Sequence, residues 1–350
     1  MADFNVFSGD AFSAISMLEG IEKVPYNPSY LGSLGIFADQ PVTTTGVWIE
    51  ERDGVLNLIQ TTPRGAPLSQ RTTEKRAARH FNTSRVAKGD RLMAAEIANI
   101  RAFGSNSELM MAQQEVARRL SGPVGLMREV ELTWENMRLG AVQGILTDAD
   151  STVLYNWFTE FGISQPSEIA FDLTGANAAG SAGSAGKLRP FIQNNVVRPM
   201  VRAAKGSFLP TTKIYGLCSD TFYDDLTNHG EVRQTYLNWL QAQSLRDGNA
   251  FEEFPFGGVV WVNYRGTDDG SMVGVAADKV KFFPVGAPGI FRAAWSPAET
   301  FDFVNTPGKP IYPMIVPDKD RNAFVDIEVY SYPLHVCTRP EVLFRGRRGS

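Results

Sequence analysis

Cysteine and histidine are scarce in this 350-residue chain. The two cysteines, Cys218 and Cys337, stand far apart and form no metal or redox spacing, so they read as two separate buried thiols in a reducing compartment. His80, His229 and His335 have no partner at a ligand spacing, which leaves no metal centre or cofactor to expect. No run of about 18 apolar residues occurs, so no membrane-spanning helix is expected. The opening MADFNVFSGDAF carries acid where a secretion signal carries base. Common catalytic patterns are missing: there is no G-x-S-x-G, no H-E-x-x-H and no G-x-G-x-x-G between a strand and a helix. Asp318, Asp320 and Asn322 echo a calcium loop, but Ala323 stands where Gly is required and Val329 where Glu is. Asp148 and Asp150 read as a helix-end turn. Residues 174–186, TGANAAGSAGSAG, fail the phosphate-loop pattern at Ser181 and Leu188 and read as a flexible connection.

The absence of a strong charge bias excludes another class. A formal net charge of −4 argues against a dedicated nucleic-acid binder. The charge is unevenly spread, however. Residues 64–91 hold Arg64, Arg71, Lys75, Arg76, Arg79, Arg85, Lys88 and Arg91 against only Glu74 and Asp90. Phe81 is the one aromatic there, so base stacking has no support.

What the chain does have is a long helical pattern over residues 105–150. Ser105 and Glu108 are spaced as a capping box. Residues 121–123, Ser-Gly-Pro, break the pattern, and Ser121 is expected to cap a second helix with Pro123 in its first turn. In that second helix Met127, Val130, Trp134, Met137, Ala141 and Ile145 recur every three or four residues. Arg128, Glu131, Glu135 and Arg138 are expected on the opposite, solvated side. Twenty-odd residues at about 1.5 Å each make a rod of roughly 30 Å.

Two unlike halves flank this rod. Upstream, residues 2–20 read as a short amphipathic helix, and 24–28, VPYNP, as an extended segment. Residues 42–51 and 55–62 read as strands joined at Asp53-Gly54, a strong hairpin signal. Residues 41–90 hold little core of their own, and a lone hairpin is marginal in water. Such a segment is expected to project and to be ordered by another molecule, its basic residues meeting an acidic surface. Downstream, residues 187–205 and 232–240 read as helices, a further helix follows Ser219-Asp220, and 212–218, 257–264, 279–285 and 324–332 read as strands. Residues 304–317 are Pro-rich and read as irregular.

Several stretches taken in order resemble the major capsid proteins of tailed bacteriophages, the lambda-like capsid protein E family. They are VPYNPSYLGSLGIF, REVELTWENMRLGAVQGILTDADSTVLYNWFTEFG, FPFGGVVWVNYRG, FFPVGAPGIFRAAWSPAETFDFVNTPGKPIYP and VDIEVYSYPLHVCTRPEVLFRG.

That resemblance implies an α+β chain with the Hong Kong 97-type capsid fold. It implies an N-terminal arm at 1–40 and an extended loop (the E-loop) at 41–92. A peripheral domain with a spine helix would occupy 93–159 and an axial domain 160–310, with 311–350 returning to the peripheral domain so that strand 324–332 packs beside the spine helix. It implies a structural protein, not an enzyme, whose copies form hexamers and pentamers of an icosahedral or prolate shell around phage DNA. Expected intersubunit contacts are Trp48, Arg64, Arg71, Lys75, Arg76, Arg79 and Arg85. Expected partners are further copies of the chain, with a decoration protein, scaffold and portal, and DNA enclosed without sequence reading. The expected location is the virion, with the host cytoplasm during assembly. An α/β enzyme centred on 160–310 and a DNA-binding protein acting through 64–91 are the alternative readings of the residues alone.

Overall fold

The computed structural model describes residues 26–53, 75–99, 108–173, 186–237, 253–267, 273–318, 320–321 and 323–349. An extended lead at Tyr26 makes one helical turn, α1 (Tyr30–Ser33), then strand β1 (Ala38–Pro41). Strand β2 (Gly46–Asp53) pairs antiparallel with β3 (Lys75–Asn82), from Gly46 opposite Asn82 to Asp53 opposite Lys75. The first strand of the expected hairpin is therefore present, but its described partner starts at Lys75 rather than just past Asp53-Gly54. The strand expected at 55–62 lies outside the described residues, as do the helix at 2–20, the capping box at Ser105 and the loop 174–185.

Next come β4 (Val86–Met93), α2 (Ala94–Asn99), α3 (Glu108–Ser121) and α4 (Leu126–Gln143). The break at 122–125 is where the sequence puts it, because neither Gly122 nor Gly125 has room for a side chain. A Cβ on Gly122 would meet the Arg118 carbonyl oxygen at 2.2 Å. The expected cap is not formed. Ser121 ends α3, its hydroxyl donating back to the Ala117 carbonyl at 3.0 Å, and extended Gly125 precedes α4. Gly144 closes α4 in the left-handed region (φ 84°), where a Cβ would meet the Phe158 ring at 2.3 Å.

Beyond α4 run β5 (Ile145–Thr147), β6 (Val153–Asn156), α5 (Trp157–Phe161) and β7 (Ile169–Ala170). The Asn156 side chain caps α5, accepting from Phe158 N–H at 3.1 Å. Helix α6 (Leu188–Ile192) passes through a π turn, Gln193–Val197, into α7 (Arg198–Ala204). The wide turn sits just before Pro199, which has no N–H to give the regular ladder. The rest is β8 (Lys213–Cys218), α8 (Asp220–Asn228), α9 (Gly230–Leu237), β9 (Phe254–Phe256), β10 (Val259–Asn263), β11 (Lys279–Val285), β12 (Phe291–Trp295), β13 (Tyr312–Pro317), β14 (Phe324–Ser331), β15 (Pro333–Cys337) and β16 (Phe344–Arg347). Strand β13 falls in the stretch expected to be irregular.

Three sheets carry the fold. A six-stranded mixed sheet runs β7-β16-β11-β8-β10-β9, and β8 at its heart is buried from Ile214 to Cys218. A three-stranded sheet runs β13-β14-β4, and another β1-β12-β15, with β1 parallel to β12. Helix α4 ties two cores together. Near its start Leu126 and Val130 pack with Leu92, Ile327 and Val329. Toward its end Met137, Leu139 and Val142 enter the main core around Trp157, Phe222, Trp261 and Phe282. Each such buried side chain contributes about 1.5–3 kcal/mol. Strand β14 lies beside α4 as expected, and Trp134 Nε1 donates to the Ser331 hydroxyl at 3.1 Å.

One helix residue is misplaced by the simple stripe. Glu135, expected on the solvated side, is 0% exposed. The segment around α1 covers it, with Leu31 also fully buried.

Candidate intersubunit surface

The lead into β1 is held by Glu135. Its two carboxylate oxygens accept from Leu31 N–H at 2.7 Å and Gly32 N–H at 3.1 Å. Tyr264 donates its hydroxyl proton to the same carboxylate at 3.3 Å, and Arg138 supplies the countercharge at 3.4 Å. Tyr30 donates to Glu253, and the Arg265 guanidinium lies 3.8 Å over the Tyr26 ring. The lead into β1 is thus fastened to the spine helix α4 and to the loop after β10 at once. Burial pushes the Glu135 carboxyl above the usual carboxylate range, against the pull of the Leu31 amide and Arg138. Burial first, and then Glu135, pushes the Tyr264 hydroxyl well above its ordinary value.

Beside this latch, His335 on β15 is fully buried, and neither ring nitrogen has a hydrogen-bond partner among the described residues. The Phe37 and Trp295 rings meet it edge-on at 5.2 and 5.8 Å. Burial, helped by the nearby Arg138 charge, lowers its pKa to about 3. Cys218 and Cys337 are free thiols, both buried, as the sequence suggests.

The hairpin β2–β3 has an anchored face and an open one. Val47, Ile49 and Phe81 are 4%, 5% and 3% exposed. Phe81 packs edge-on against Trp157 and Tyr155. The expectation that this segment lacks a core of its own needs amending here, since its base is rooted in the body of the same chain. Trp48, alternating with Val47 and Ile49, is 67% exposed and lies against His80 at 4.9 Å.

Where their side chains are described, the basic residues Arg79, Arg85, Lys88 and Arg91 already have partners within their own chain. Arg79 donates to the Phe161 carbonyl at 3.3 Å, and Arg85 pairs with Glu299 at 3.2 Å. Lys88 pairs with Glu129 at 2.6 Å and Arg91 with Asp326 at 2.7 Å. Arg64 and Arg71 lie outside the described residues; Lys75 and Arg76 open β3. Of the residues singled out from sequence, the structure brings Trp48, Arg79 and Arg85 onto or beside one hairpin base. Near the α3 terminus, Glu115 is almost buried between Arg118 and Arg119, whose hydrogen bonds hold its carboxyl down at about 2. Among the described residues no group of three or more His, Cys, Asp or Glu could hold a metal ion, and no helix is long and apolar enough to cross a membrane.

Sequence reasoning missed Glu135, although a signal exists. Leu132, Leu139 and Val142 form a second apolar row with position 135 inside it, so the buried arc of α4 is wider than one stripe.

The model of the family described as phage major capsid protein E matches residues 13–348. The major capsid protein of Salmonella phage Felix O1 (isolate Felix O1-VT1) is 25% identical over 354 residues, covering 92% of each chain. That of Pseudomonas phage KPP10 is 26% identical over 355 residues, covering 96% of this chain and 97% of the relative. Among solved structures, the capsid of the native GTA particle is similar over 98% of this chain and 99% of that chain, with a TM-score of 0.49 and 12% identity.

Proposed function

The chain belongs to the phage major capsid protein E family, a family of structural rather than catalytic proteins, and from that premise we propose that its copies tile a closed shell around phage DNA as hexamers and pentamers. The observation that carries the finer reading is the hairpin β2–β3. Val47, Ile49 and Phe81 fix its base to the body, while Trp48 on the other face is left exposed. A ribbon rooted this way is aimed by its own subunit and completed by another. Residues 41–92 are then the loop that reaches a neighbour, through Trp48, Arg64, Arg71, Lys75, Arg76, Arg79 and Arg85. Residues 1–40 are the arm, with Glu135 fastening its end to the spine helix. Residues 93–159, with 311–350 returning to them, form the peripheral unit, and 160–310 the axial unit, whose sheet takes in β16 as well.

Heterologous contacts of one chain generate rings, and many weak contacts per copy allow a shell to correct its errors while remaining firm. A net charge of −4, with Lys88 and Arg91 spent on Glu129 and Asp326, suits a wall that encloses DNA without clamping it. Scaffold, portal and decoration proteins are partners for such a shell, which assembles in the host cytoplasm and ends in the virion. Negative-stain electron microscopy of the expressed full chain tests this: rings or closed particles are expected, and a monomer that persists at high concentration under assembly conditions overturns it.

A further inference from the structure

The turn between β12 and β13 presents two apolar side chains to solvent on a rigid mount. Phe301 is 101% exposed and Val304 is 53% exposed. The turn is nonetheless held in place. Phe303 N–H donates to the Thr300 carbonyl at 3.0 Å, and the Thr306 hydroxyl donates to the Phe303 carbonyl at 2.7 Å. The Phe303 ring packs on Tyr312 at 4.8 Å, and Gly308 N–H ties the base to the Val42 carbonyl at 2.9 Å. An aromatic side chain fully in water on an ordered turn forgoes about 1.5–3 kcal/mol that burial would return. Phe301 and the half-exposed Val304, three positions apart, form the apolar tip of this turn.

A cleft of about 410 Å³ opens between β4 and the α3–α4 turn, with Gly89, Pro123, Val124 and Leu126 in its wall. That is within the size range of pockets that bury a small organic ligand, and ample for one ring. Val124 on its rim is 62% exposed. Lys88 and Arg118 line it too, and each is the more exposed member of its ion pair: 56% against 41% for Glu129, and 56% against 8% for Glu115. Asp90 and Glu129 line it as well, 42% and 41% exposed, so the rim is of mixed charge with Lys88 and Arg118 as its most exposed members. The turn 299–306 carries Glu299 and Asp302 and no basic residue.

Finger and cleft lie on opposite edges of one sheet. The turn leads into β13, the cleft borders β4, and β14 separates them. A protrusion on one edge and a complementary cleft on the other is the arrangement of a head-to-tail contact, which closes into a ring when repeated. We propose that Phe301 of one copy seats beside Val124 in the cleft of the next, with Asp302 facing the Lys88 and Arg118 rim. This inference rests on the shell reading above and names one of its contacts.

Cysteines at the two positions, Phe301→Cys with Val124→Cys in the full chain, test it directly. The native Cys218 and Cys337 are both 0% exposed, so only the new thiols face solvent. Particles of the double variant under mild oxidation should give a ladder of disulfide-linked multimers, and neither single variant should. Separately, Phe301→Asp should lower particle yield by about tenfold, the loss of a contact worth about 1.4 kcal/mol, with the melting temperature of the unassembled subunit unchanged, while Phe301→Leu keeps the yield. Normal particles from Phe301→Asp, or double-cysteine particles without a ladder, overturn the contact and leave the shell reading standing. Failure of the unmodified chain to form particles overturns both.

Discussion

Glu135 and Leu31, 104 positions apart in the chain, meet in a 2.7 Å hydrogen bond from the Leu31 amide to the Glu135 carboxylate, and both residues are wholly buried. This bond joins the lead into β1 to the middle of the spine helix. A buried carboxylate carries a large desolvation cost, which the Leu31 and Gly32 amides, the Tyr264 hydroxyl and Arg138 together offset.

Removing that carboxylate should be costly. Glu135→Ala leaves two amides and the Arg138 guanidinium without their partner and should destabilise the subunit by about 3–5 kcal/mol. Glu135→Gln keeps one acceptor and should cost less. Denaturant melts give the magnitude, and limited proteolysis should cut faster around residues 26–34 in both variants. Equal cutting rates in all three proteins would deny the latch.

Acid should act through His335 and Glu135 in opposite directions. His335 has an ordinary value near 6.5 in the unfolded chain and about 3 in the folded one. The folded state therefore binds fewer protons, and stability is full above pH 6.5 and lost progressively as pH falls toward 3. At 1.36 kcal/mol per pH unit the complete loss is on the order of 5 kcal/mol. Glu135 is raised on folding, so acidification relieves part of its burial cost. The charged neighbours are the same for both: Arg138 stands by each, and Tyr264 faces Glu135. His335→Phe should flatten the acid limb of a stability–pH profile between pH 6.5 and 3, and Glu135→Gln should steepen it above pH 4.5. An unchanged acid limb in His335→Phe would show that the ring does not titrate there.

Two deletions in the hairpin should differ sharply. Removing residues 54–74 behind a short turn keeps Val47, Ile49 and Phe81 in place, so the subunit should fold and fail to assemble. Removing 42–85 strips all three from the core, a loss of roughly 5–9 kcal/mol at 1.5–3 kcal/mol each, comparable with the whole stability of a domain. Thermal melts and particle counts on the two proteins separate these outcomes.

The outer edge of the β13-β14-β4 sheet is blunted by Pro313 and Pro317, which have no N–H to offer another strand. Between them Ile315 and Val316 are 56% and 45% exposed. Replacing both prolines by Thr should therefore promote edge-to-edge association, seen as rising light scatter from dilute subunits with no gain in closed particles. No change in scatter would assign the prolines a purely local role.

Much of this architecture is legible in the residues. The break at Gly122, the apolar row from Met127 to Ala141 and the alternation of Phe324 to Ser331 each depend on local chemistry and lie where the pattern puts them, whereas Ile145, expected to continue the row, falls past Gly144 in β5. What stays hidden is long-range. Strand β3, KRAARHFN, has only Phe81 as a large apolar residue, and its pairing is fixed by Gly46 to Asp53 and by Trp157 beneath it. Strands β12 and β15 are short and hold Ala or Pro, so they acquire their state from each other and from β1. Glu135 looks like a surface acid until Leu31 and Gly32 cover it. The family resemblance comes from many stretches in order, so it does not hang on the role of any one residue.

Electron cryo-microscopy of particles made by the unmodified full chain tests the central claim most directly, because it locates residues 54–74 relative to the subunit that owns them. The account predicts a closed shell in which this segment lies across an adjacent copy while Val47 and Phe81 stay in their own core. A chain that remains monomeric, or a shell in which residues 54–74 fold back onto their own subunit, would contradict it.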